Sequence, residues 1–229
     1  GGAPMPISTI EKLAQKIPGL KLINAYGATE TTSPSTIMPP AFTATHIDSV
    51  GLPCPGATIV VMDDAGREVP RGDVGELWIH GGSVIKGYWN KPEATAESFT
   101  GGFWHSGDLG SIDIEGFVRV FDRKKDMINR GGHKIYSAEV ESVLAGHDDV
   151  VESAIIAKPC PVLGERVHAV VVTRNPALDV AALRAWCAAR LSDYKVPETV
   201  TVSTDPLPRN ANGKVLKKQL REALLRELA

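Results

Sequence analysis

Apolar and polar positions follow a helical period most clearly near the C-terminus of the chain. In VAALRAWCAARLSD the apolar residues recur three or four positions apart, which predicts an amphipathic helix with one buried face. That face comprises Val180, Leu183, Trp186, Cys187 and Leu191. The pattern predicts three further helices: residues 8–17 with Ser8 as cap and Glu11 three residues on, SAEVESVLAGH with Ser137 as cap, and a last helix at KKQLREALLREL.

Short apolar runs bounded by Gly, Pro or Asp predict strands elsewhere. The segment KLINAYG, residues 21–27, predicts a strand that ends in a glycine turn. Residues 45–122 contain four short β segments: TIVVMDD, GELWIHG, FWHSGDLG and FVRVFDR. After Arg123, DMINRGGHKIY predicts a hairpin, and VVESAIIAKP and RVHAVVVT predict two strands rich in β-branched residues.

These elements predict a mixed α+β protein with a domain boundary near residues 122–125. Residues 1–122 are interpreted as the remnant of a large domain with a β-rich subdomain at about 45–122, and residues 123–229 as a small α+β domain. The helix and strand of residues 1–45 are too few to bury a core of their own, so we interpret them as the end of an α/β domain. Their exposed edge predicts either a homodimer or disorder in that segment.

Composition narrows the functional classes. The 229 residues carry a formal net charge of −2, which gives no indication of a nucleic-acid partner or an anionic membrane surface. No apolar run approaches the ~20 residues of a membrane-spanning helix. The three cysteines are widely separated and predict neither a disulfide framework nor a CxxC metal pair. With no signal peptide visible, a reducing cytoplasm is expected. The six histidines show no metal-binding spacing.

The segment YGATETT places a hydroxyl and a carboxylate together after a strand. Thr29 offers a hydrogen-bond donor to a phosphate, and Glu30 offers a ligand to a Mg²⁺ ion on phosphate oxygens. Tyr26 could stack on a purine base. The alternative is a plain polar turn.

The segment WHSGDLG places Asp108 after a glycine turn, where a carboxylate can accept the two hydroxyl protons of a ribose. Arg123 in the basic run DRKKDMI offers a second polar contact. The alternatives are a turn aspartate and a solvated charge run. The stretch GELWIHGGSVIKGYWN is assigned a structural role, with Trp78, Tyr88 and Trp89 as core or rim aromatics.

Two further motifs lie in the C-terminal part. Gly131 and Gly132 in RGGHKIY allow a ligand or another segment to approach the backbone, or simply form a β-turn. Lys214 follows Asn-Gly in PLPRNANGKV, where a mobile ammonium can neutralise charge as a carboxylate attacks a phosphate. The alternative is an exposed lysine after a turn.

The order of these motifs resembles the adenylate-forming superfamily, which includes acyl- and aryl-CoA synthetases, luciferase and the adenylation domains of peptide synthetases. The resemblance covers essentially the whole chain, from GGAPMP to PRNANGKV, and NRGGHKIYSAEVE is most similar to acyl-CoA synthetases of fatty and other acids. It implies that ATP and Mg²⁺ are bound, that coenzyme A and a carboxylic acid are substrates, and that ligation passes through an acyl-adenylate.

The resemblance also implies roles for individual residues. The loop beside the adenine is matched by Gly2, Ala3 and Pro4, and the base contact by Tyr26 and the adjoining Gly27. The phosphate ligand is matched by Thr29, and the Mg²⁺ ligand by Glu30. The ribose contacts are matched by Asp108 and Arg123, and the hinge of a rotating C-terminal domain is matched by Lys125. The border of the pantetheine tunnel is matched by Gly131 and Gly132, and the lysine that assists adenylation is matched by Lys214.

One family element has no match. The Ser/Thr/Gly-rich loop ending in Pro-Lys-Gly lies upstream of the YGxTE motif in the family, and a complete member has about twice this length. The resemblance therefore implies that these residues alone do not complete the catalytic site. The alternatives are a non-catalytic AMP-binding remnant or interaction module and, among enzymes, a peptide-synthetase domain or a luciferase-type oxygenase.

Overall fold

The computed structural model describes residues 7–228. Its contacts divide the chain into two compact units, residues 16–125 and residues 126–228, with residues 7–15 grouped in the second. Helices and antiparallel sheets occur together, and the predicted mixed α+β class is confirmed. Helix α1 spans Ile7–Lys16. None of the helices found between residues 7 and 228 has the length and apolar character needed to cross a bilayer.

The first unit begins with a small antiparallel sheet. Its three strands are β1 (Ala25–Tyr26), β2 (Thr36–Ile37) and β3 (Leu52–Pro53), in that order. The strand predicted over residues 21–27 is shorter than expected. Within residues 7–228 this strand pairs with β2 alone, at two positions, so regular strand structure is limited to the last two residues before Gly27.

A larger antiparallel sheet forms the body of this unit. Its strands are β4 (Ala57–Met62), β5 (Gly75–Gly81), β6 (Phe99–Thr100), β7 (Phe103–Ile112) and β8 (Val118–Arg123). The spatial order is β4-β5-β7-β6, and β8 pairs with β7. All four predicted β segments are confirmed, whereas the short helix α2 (Pro92–Ser98) was not predicted. Its core contains Ile59, Val61, Leu77, Ile79, Trp104, Ile112 and Val118.

The second unit is a five-stranded sheet flanked by helices. Its elements are β9 (Ile128–Arg130), β10 (His133–Ile135), α3 (Ser137–Leu144), β11 (Val150–Cys160), β12 (Gly164–Thr173), α4 (Val180–Ala188), β13 (Thr199–Ser203) and α5 (Lys217–Leu228). The spatial order is β10-β9-β12-β11, and β13, which was not predicted, runs parallel to β12. The predicted hairpin, the two long strands and the last helix are confirmed.

Helices on both faces explain the continuous apolar run of β11. Ile155 and Ala157 pack with Leu183 and the rest of one core, which includes α3 and α4. Ala154 and Ile156 point to the other face and pack in a second core with Leu224 of α5. Because successive side chains alternate between faces, a strand covered on both sides is apolar at every position.

Both predicted serine caps are wrong. Tyr136 occupies the N-cap position of α3 without a side-chain cap hydrogen bond, and Ser137 is the first helical residue. Its buried hydroxyl accepts a hydrogen bond from the Lys217 ammonium, and this tertiary contact replaces the expected cap. Ser8 lies inside the first turn of α1, which begins at Ile7, and a residue with helical backbone angles cannot act as an N-cap.

Candidate functional site

The carboxylate of Asp108 is the centre of a polar cluster in the first unit. Asp108 lies in β7 and is only 8% exposed. The Tyr26 hydroxyl donates a hydrogen bond of 2.6 Å to its Oδ2, and Arg123 Nε lies 2.8 Å from its Oδ1. The structure therefore brings together three residues predicted from separate motifs.

A β-bulge determines which residue faces Asp108. From Ile112 to Gly110, β7 pairs regularly with β8, but the register shifts between Gly110 and Leu109. As a result Asp108 faces Arg123, whereas the regular register would place it opposite Asp122. The bulge thus replaces a repulsive pair of carboxylates with a carboxylate–guanidinium pair.

The turn before Asp108 is held from both sides. Gly107 adopts a φ of 68°, a left-handed conformation that favours glycine. Its N–H donates to Glu76 Oε1 at 3.0 Å, and its carbonyl accepts from Lys124 N at 2.8 Å. Lys124 Nζ also contacts Glu76 Oε2 at 3.2 Å, so the turn and the end of β8 are connected by one carboxylate.

The environment keeps Tyr26 protonated. Burial, followed by the charge of Asp108 and the hydrogen bond to it, raises the pKa of Tyr26 far above its ordinary value. The hydroxyl is therefore a donor at every physiological pH. A carboxylate offers about four acceptor positions. Tyr26 contacts one oxygen and Arg123 the other, so their contacts fix the orientation of Asp108.

Thr29 and Glu30 lie in a 3₁₀ turn, Thr29–Thr31, shortly after Tyr26. Thr29 is exposed and Glu30 is partly buried. Glu30 Oε1 accepts a 2.9 Å hydrogen bond from the hydroxyl of Tyr88. The contact from Tyr88 was not predicted, because the segment around it was assigned a purely structural role. A tyrosine close to glycine-punctuated strands gives no sequence signal for a partner 58 residues away.

Gly27 serves the packing of the chain itself. A Cβ at this position would lie 3.0 Å from both Ser33 Oγ and the backbone nitrogen of Ser35. The same Ser35 nitrogen donates to the carbonyl of Tyr26 at 2.8 Å. The absence of a side chain at Gly27 therefore allows residues 33–35 to close on the end of β1.

A carboxylate is an oxygen donor of the kind that Mg²⁺ prefers, and Glu30, whose Oε2 accepts no hydrogen bond from the described residues, fits such an ion. Within the described part of the chain a second cluster, His46, Asp113 and Glu115, has its possible ligand atoms close together. Asp113 is already an acceptor for the Arg119 guanidinium and for two backbone N–H groups. We therefore interpret that cluster as an ion-paired turn.

In the second unit, Gly131 and Gly132 form the turn of the β9–β10 hairpin. Their φ angles of 57° and 91° both require the left-handed region, which accounts for two glycines in sequence. Gly131 N donates to Leu163 O at 2.8 Å, and Gly132 N donates to Asn129 Oδ1 at 3.0 Å. The open space around the Cβ position of Gly132 leaves the backbone accessible.

Lys214 is exposed on a loop with a defined shape. Asn210 Oδ1 accepts from the Lys214 amide at 2.9 Å, and the Asn210 amide donates to the Lys214 carbonyl at 2.9 Å. The Arg209 guanidinium contacts Glu152 of β11 and donates to the Gly213 carbonyl at 2.7 Å. The loop is thus anchored to the sheet while the ammonium remains in solvent.

The predicted adenine-side loop and the predicted hinge complete the set of site residues. Gly2, Ala3 and Pro4 lie outside the described residues. Lys125 is the last residue of the first compact unit.

The sequence matches two family models. Residues 1–89 match the model described as AMP-binding enzyme, and residues 139–214 match the model described as AMP-binding enzyme C-terminal domain. Together these ranges include Tyr26, Thr29, Glu30, Tyr88 and Lys214.

Individual proteins show the same similarity. The chain is 38% identical over 225 residues to 2-succinylbenzoate–CoA ligase of Geobacillus kaustophilus, covering 98% of the chain and 45% of the relative. It is 39% identical over 222 residues to long-chain-fatty-acid–CoA ligase of Escherichia coli O6:H1, covering 97% and 39%.

A solved structure shows a similar fold. O-succinylbenzoate CoA synthetase from Bacillus subtilis, in complex with the acyl-adenylate intermediate, has a TM-score of 0.90 and 37% identity and covers 96% of this chain. The same protein in complex with ATP and magnesium ion has a TM-score of 0.88. The chain spans less than half the length of the relatives it matches.

Proposed function

Because the chain belongs to the AMP-binding enzyme family, within the adenylate-forming superfamily, we propose that it is the C-terminal portion of an ATP-dependent acyl-CoA synthetase. The observation that carries the proposal is the buried carboxylate of Asp108, oriented by Tyr26 and Arg123. A fixed carboxylate at this position suits the two hydroxyls of a ribose.

The proposed reaction has two steps. A carboxylate oxygen of the acid attacks the α-phosphorus of ATP, pyrophosphate leaves with the electrons of the broken P–O bond, and an acyl-adenylate forms. The sulfur of coenzyme A then attacks the acyl carbon, the thiol loses its proton, and AMP leaves as the thioester forms.

Each residue of the first unit has a defined role in this proposal. Asp108 accepts from the ribose hydroxyls, Arg123 holds Asp108 and adds a polar contact, and the Tyr26 ring lies against the base. Thr29 donates to a phosphate. Glu30 would hold Mg²⁺, which when bound neutralises phosphate charge.

The second unit supplies Lys214 and the Gly131–Gly132 turn. Lys214 stabilises the negative charge that develops during the first step, because its side chain lies exposed on a loop that is anchored to the sheet. The Gly131–Gly132 turn borders the path of the pantetheine arm in the second step. Lys125, the last residue of the first unit, is the proposed hinge. Gly2, Ala3 and Pro4 keep their proposed place beside the adenine.

The substrate is proposed only by class. The relatives' names include an aromatic and a long-chain aliphatic acid, and we propose a fatty or other acyl acid for this chain. Thioester formation, measured with the upstream segment restored and with one acid of each kind, would separate them. The cytoplasmic location remains a proposal that rests on the cysteine pattern and is tested by cell fractionation.

The test is calorimetric titration of the chain with a non-hydrolysable acyl-adenylate analogue. We expect binding that Asp108→Ala weakens at least about tenfold, the effect of losing a hydrogen bond to a charged group. Asp48→Ala is the matched control, since Asp48 lies in the same unit with a side chain that is 58% exposed and paired with Arg119. Equal affinities of the wild type and Asp108→Ala would refute the assigned site.

The main alternative is nucleotide binding without ligation. It predicts that the analogue binds and that this binding depends on Asp108. It also predicts that no acyl group is transferred to coenzyme A, even when the upstream phosphate loop is supplied. Thioester formation that depends on Lys214 would exclude it.

Exposed apolar side chains in residues 17–47 support the proposal of a homodimer. Ile17 and Ile23 are each 50% exposed, and Leu20, Ile37, Phe42 and Ile47 are each at least 40% exposed. Light scattering tests this proposal: we expect a dimer that Ile23→Lys dissociates. A monodisperse monomer of the wild type would contradict it.

A further inference from the structure

Tyr88 connects the turn that carries Glu30 with the segment that follows β5. Its hydroxyl donates to Glu30 Oε1 at 2.9 Å. Among the hydrogen bonds of the described residues, none engages Glu30 Oε2. One oxygen of the carboxylate is therefore fixed by the protein, and the other accepts no hydrogen bond from the described residues.

The backbone around Glu30 is fixed by the same segment. The Ile85 amide donates to the Glu30 carbonyl at 2.9 Å. The Thr32 hydroxyl donates to the Ser83 carbonyl at 2.7 Å. Residues 83–88 thus hold the 3₁₀ turn at three points, two through the backbone of the segment and one through the Tyr88 side chain.

Tyr88 is itself held by the start of α2. Its amide donates to Thr95 Oγ1 at 2.9 Å, and this hydroxyl donates to the Lys91 carbonyl at 2.8 Å. A Cβ at Gly87 would lie 2.5 Å from Thr95 Cγ2, so this close approach requires glycine. The ring also packs edge-on against Phe99, with centroids 5.8 Å apart.

We propose that Tyr88 is a positioning residue that holds the Glu30 carboxylate by one oxygen, so that the other oxygen faces a divalent cation on the nucleotide phosphates. The inference rests on the proposed function and deepens it. A glutamate has three rotatable bonds, and a donor that fixes one oxygen reduces the number of orientations that must be lost on cation binding. Tyrosine suits this role, because a lysine or arginine here would compete with the cation through its charge.

The test compares wild type with Tyr88→Phe, which removes only the hydroxyl. Calorimetry is performed with AMP, with ATP alone and with ATP plus Mg²⁺. We expect the AMP affinity to stay within about twofold, and the gain in ATP affinity on adding Mg²⁺ to fall about tenfold, as for the loss of one hydrogen bond to a charged group. Tyr194→Phe, in the second unit, is the matched control and should change neither value.

A second variant covers the case in which Tyr88→Phe does not fold. Thr95→Val keeps the shape of the side chain but removes the hydroxyl that holds the Tyr88 amide, and we expect a smaller loss of the Mg²⁺-dependent gain. An equal gain in the wild type and in both variants would overturn the inference.

Failure of the proposed function is distinguished by a measurement that needs no nucleotide. In protein with ¹³Cζ-labelled tyrosine at pH 7, Glu30→Ala should shift the Tyr88 signal, because its hydroxyl loses its acceptor, and leave the Tyr194 signal unchanged. If the wild-type chain binds no nucleotide, the proposed function fails for this chain, and this shift decides whether Tyr88 holds Glu30. An unchanged Tyr88 signal overturns the inference in either case.

Discussion

Replacing Tyr26 with Phe isolates the hydrogen bond that orients Asp108. The ring and its packing remain, and only the hydroxyl is lost. The bond is short, at 2.6 Å, and its acceptor is a carboxylate that is 8% exposed. A hydrogen bond to a charged group contributes about 1.5–3 kcal/mol, so we expect the free energy of unfolding of the first unit to fall by about 2 kcal/mol.

The same reasoning predicts a smaller effect for Arg123. Its side chain is 49% exposed, so solvent screens its pairing with Asp108. An ion pair of this kind contributes about 0–1 kcal/mol. Arg123→Gln should therefore destabilise the unit less than Tyr26→Phe, although both residues contact the same carboxylate.

Urea unfolding followed by tryptophan fluorescence measures both effects. Trp78, Trp89 and Trp104 lie in the first unit, and a Trp186→Phe background removes the signal of the second. With a urea dependence of about 2 kcal/mol per M, the midpoint for Tyr26→Phe should fall by about 1 M. A double-mutant cycle with Asp108→Asn should give a coupling of at least about 1 kcal/mol. A coupling below about 0.5 kcal/mol, or a larger loss for Arg123→Gln, would refute the reasoning.

Three further outcomes are expected. Burial lowers the pKa of His168 to about 4. As the pH falls, the unfolded chain takes up the proton first, near pH 6.5, so the free energy of unfolding should fall by about 3 kcal/mol between pH 6.5 and 4. His168→Gln should remove this pH dependence. An equal loss of stability in the variant would contradict the prediction. Gly110→Ala should lower the free energy of unfolding by about 3 kcal/mol, because the added Cβ would lie 2.2 Å from the carbonyl oxygen of Arg119. Gly82→Ala should leave the stability nearly unchanged in thermal unfolding, because nothing lies within 4 Å of its Cβ position. Glu152→Ala should speed hydrogen exchange of the Lys214 amide about tenfold by releasing its loop, and unchanged protection would exclude this anchor.

Local sequence information was sufficient for most elements but not for their ends. The period of α4 and the β-branched runs of β11 and β12 specify their type, because side-chain burial repeats with the backbone geometry. Ser137, the predicted cap of α3, instead accepts a hydrogen bond from Lys217, which lies 80 residues away. β13 was missed because its five residues gain strand structure only by pairing with β12.

The sequence by itself determined the motifs and their chemistry: a carboxylate after a glycine turn, a hydroxyl beside a carboxylate, and a lysine on a turn. The tertiary structure alone decided which of these groups meet. Asp108 contacts Tyr26 across 82 residues, and it faces Arg123 only because a bulge shifts β8 by one residue. Glu30 is held by Tyr88, across 58 residues. The physical reason is that strand register and long-range pairing depend on the packing of the whole sheet, which no local pattern encodes.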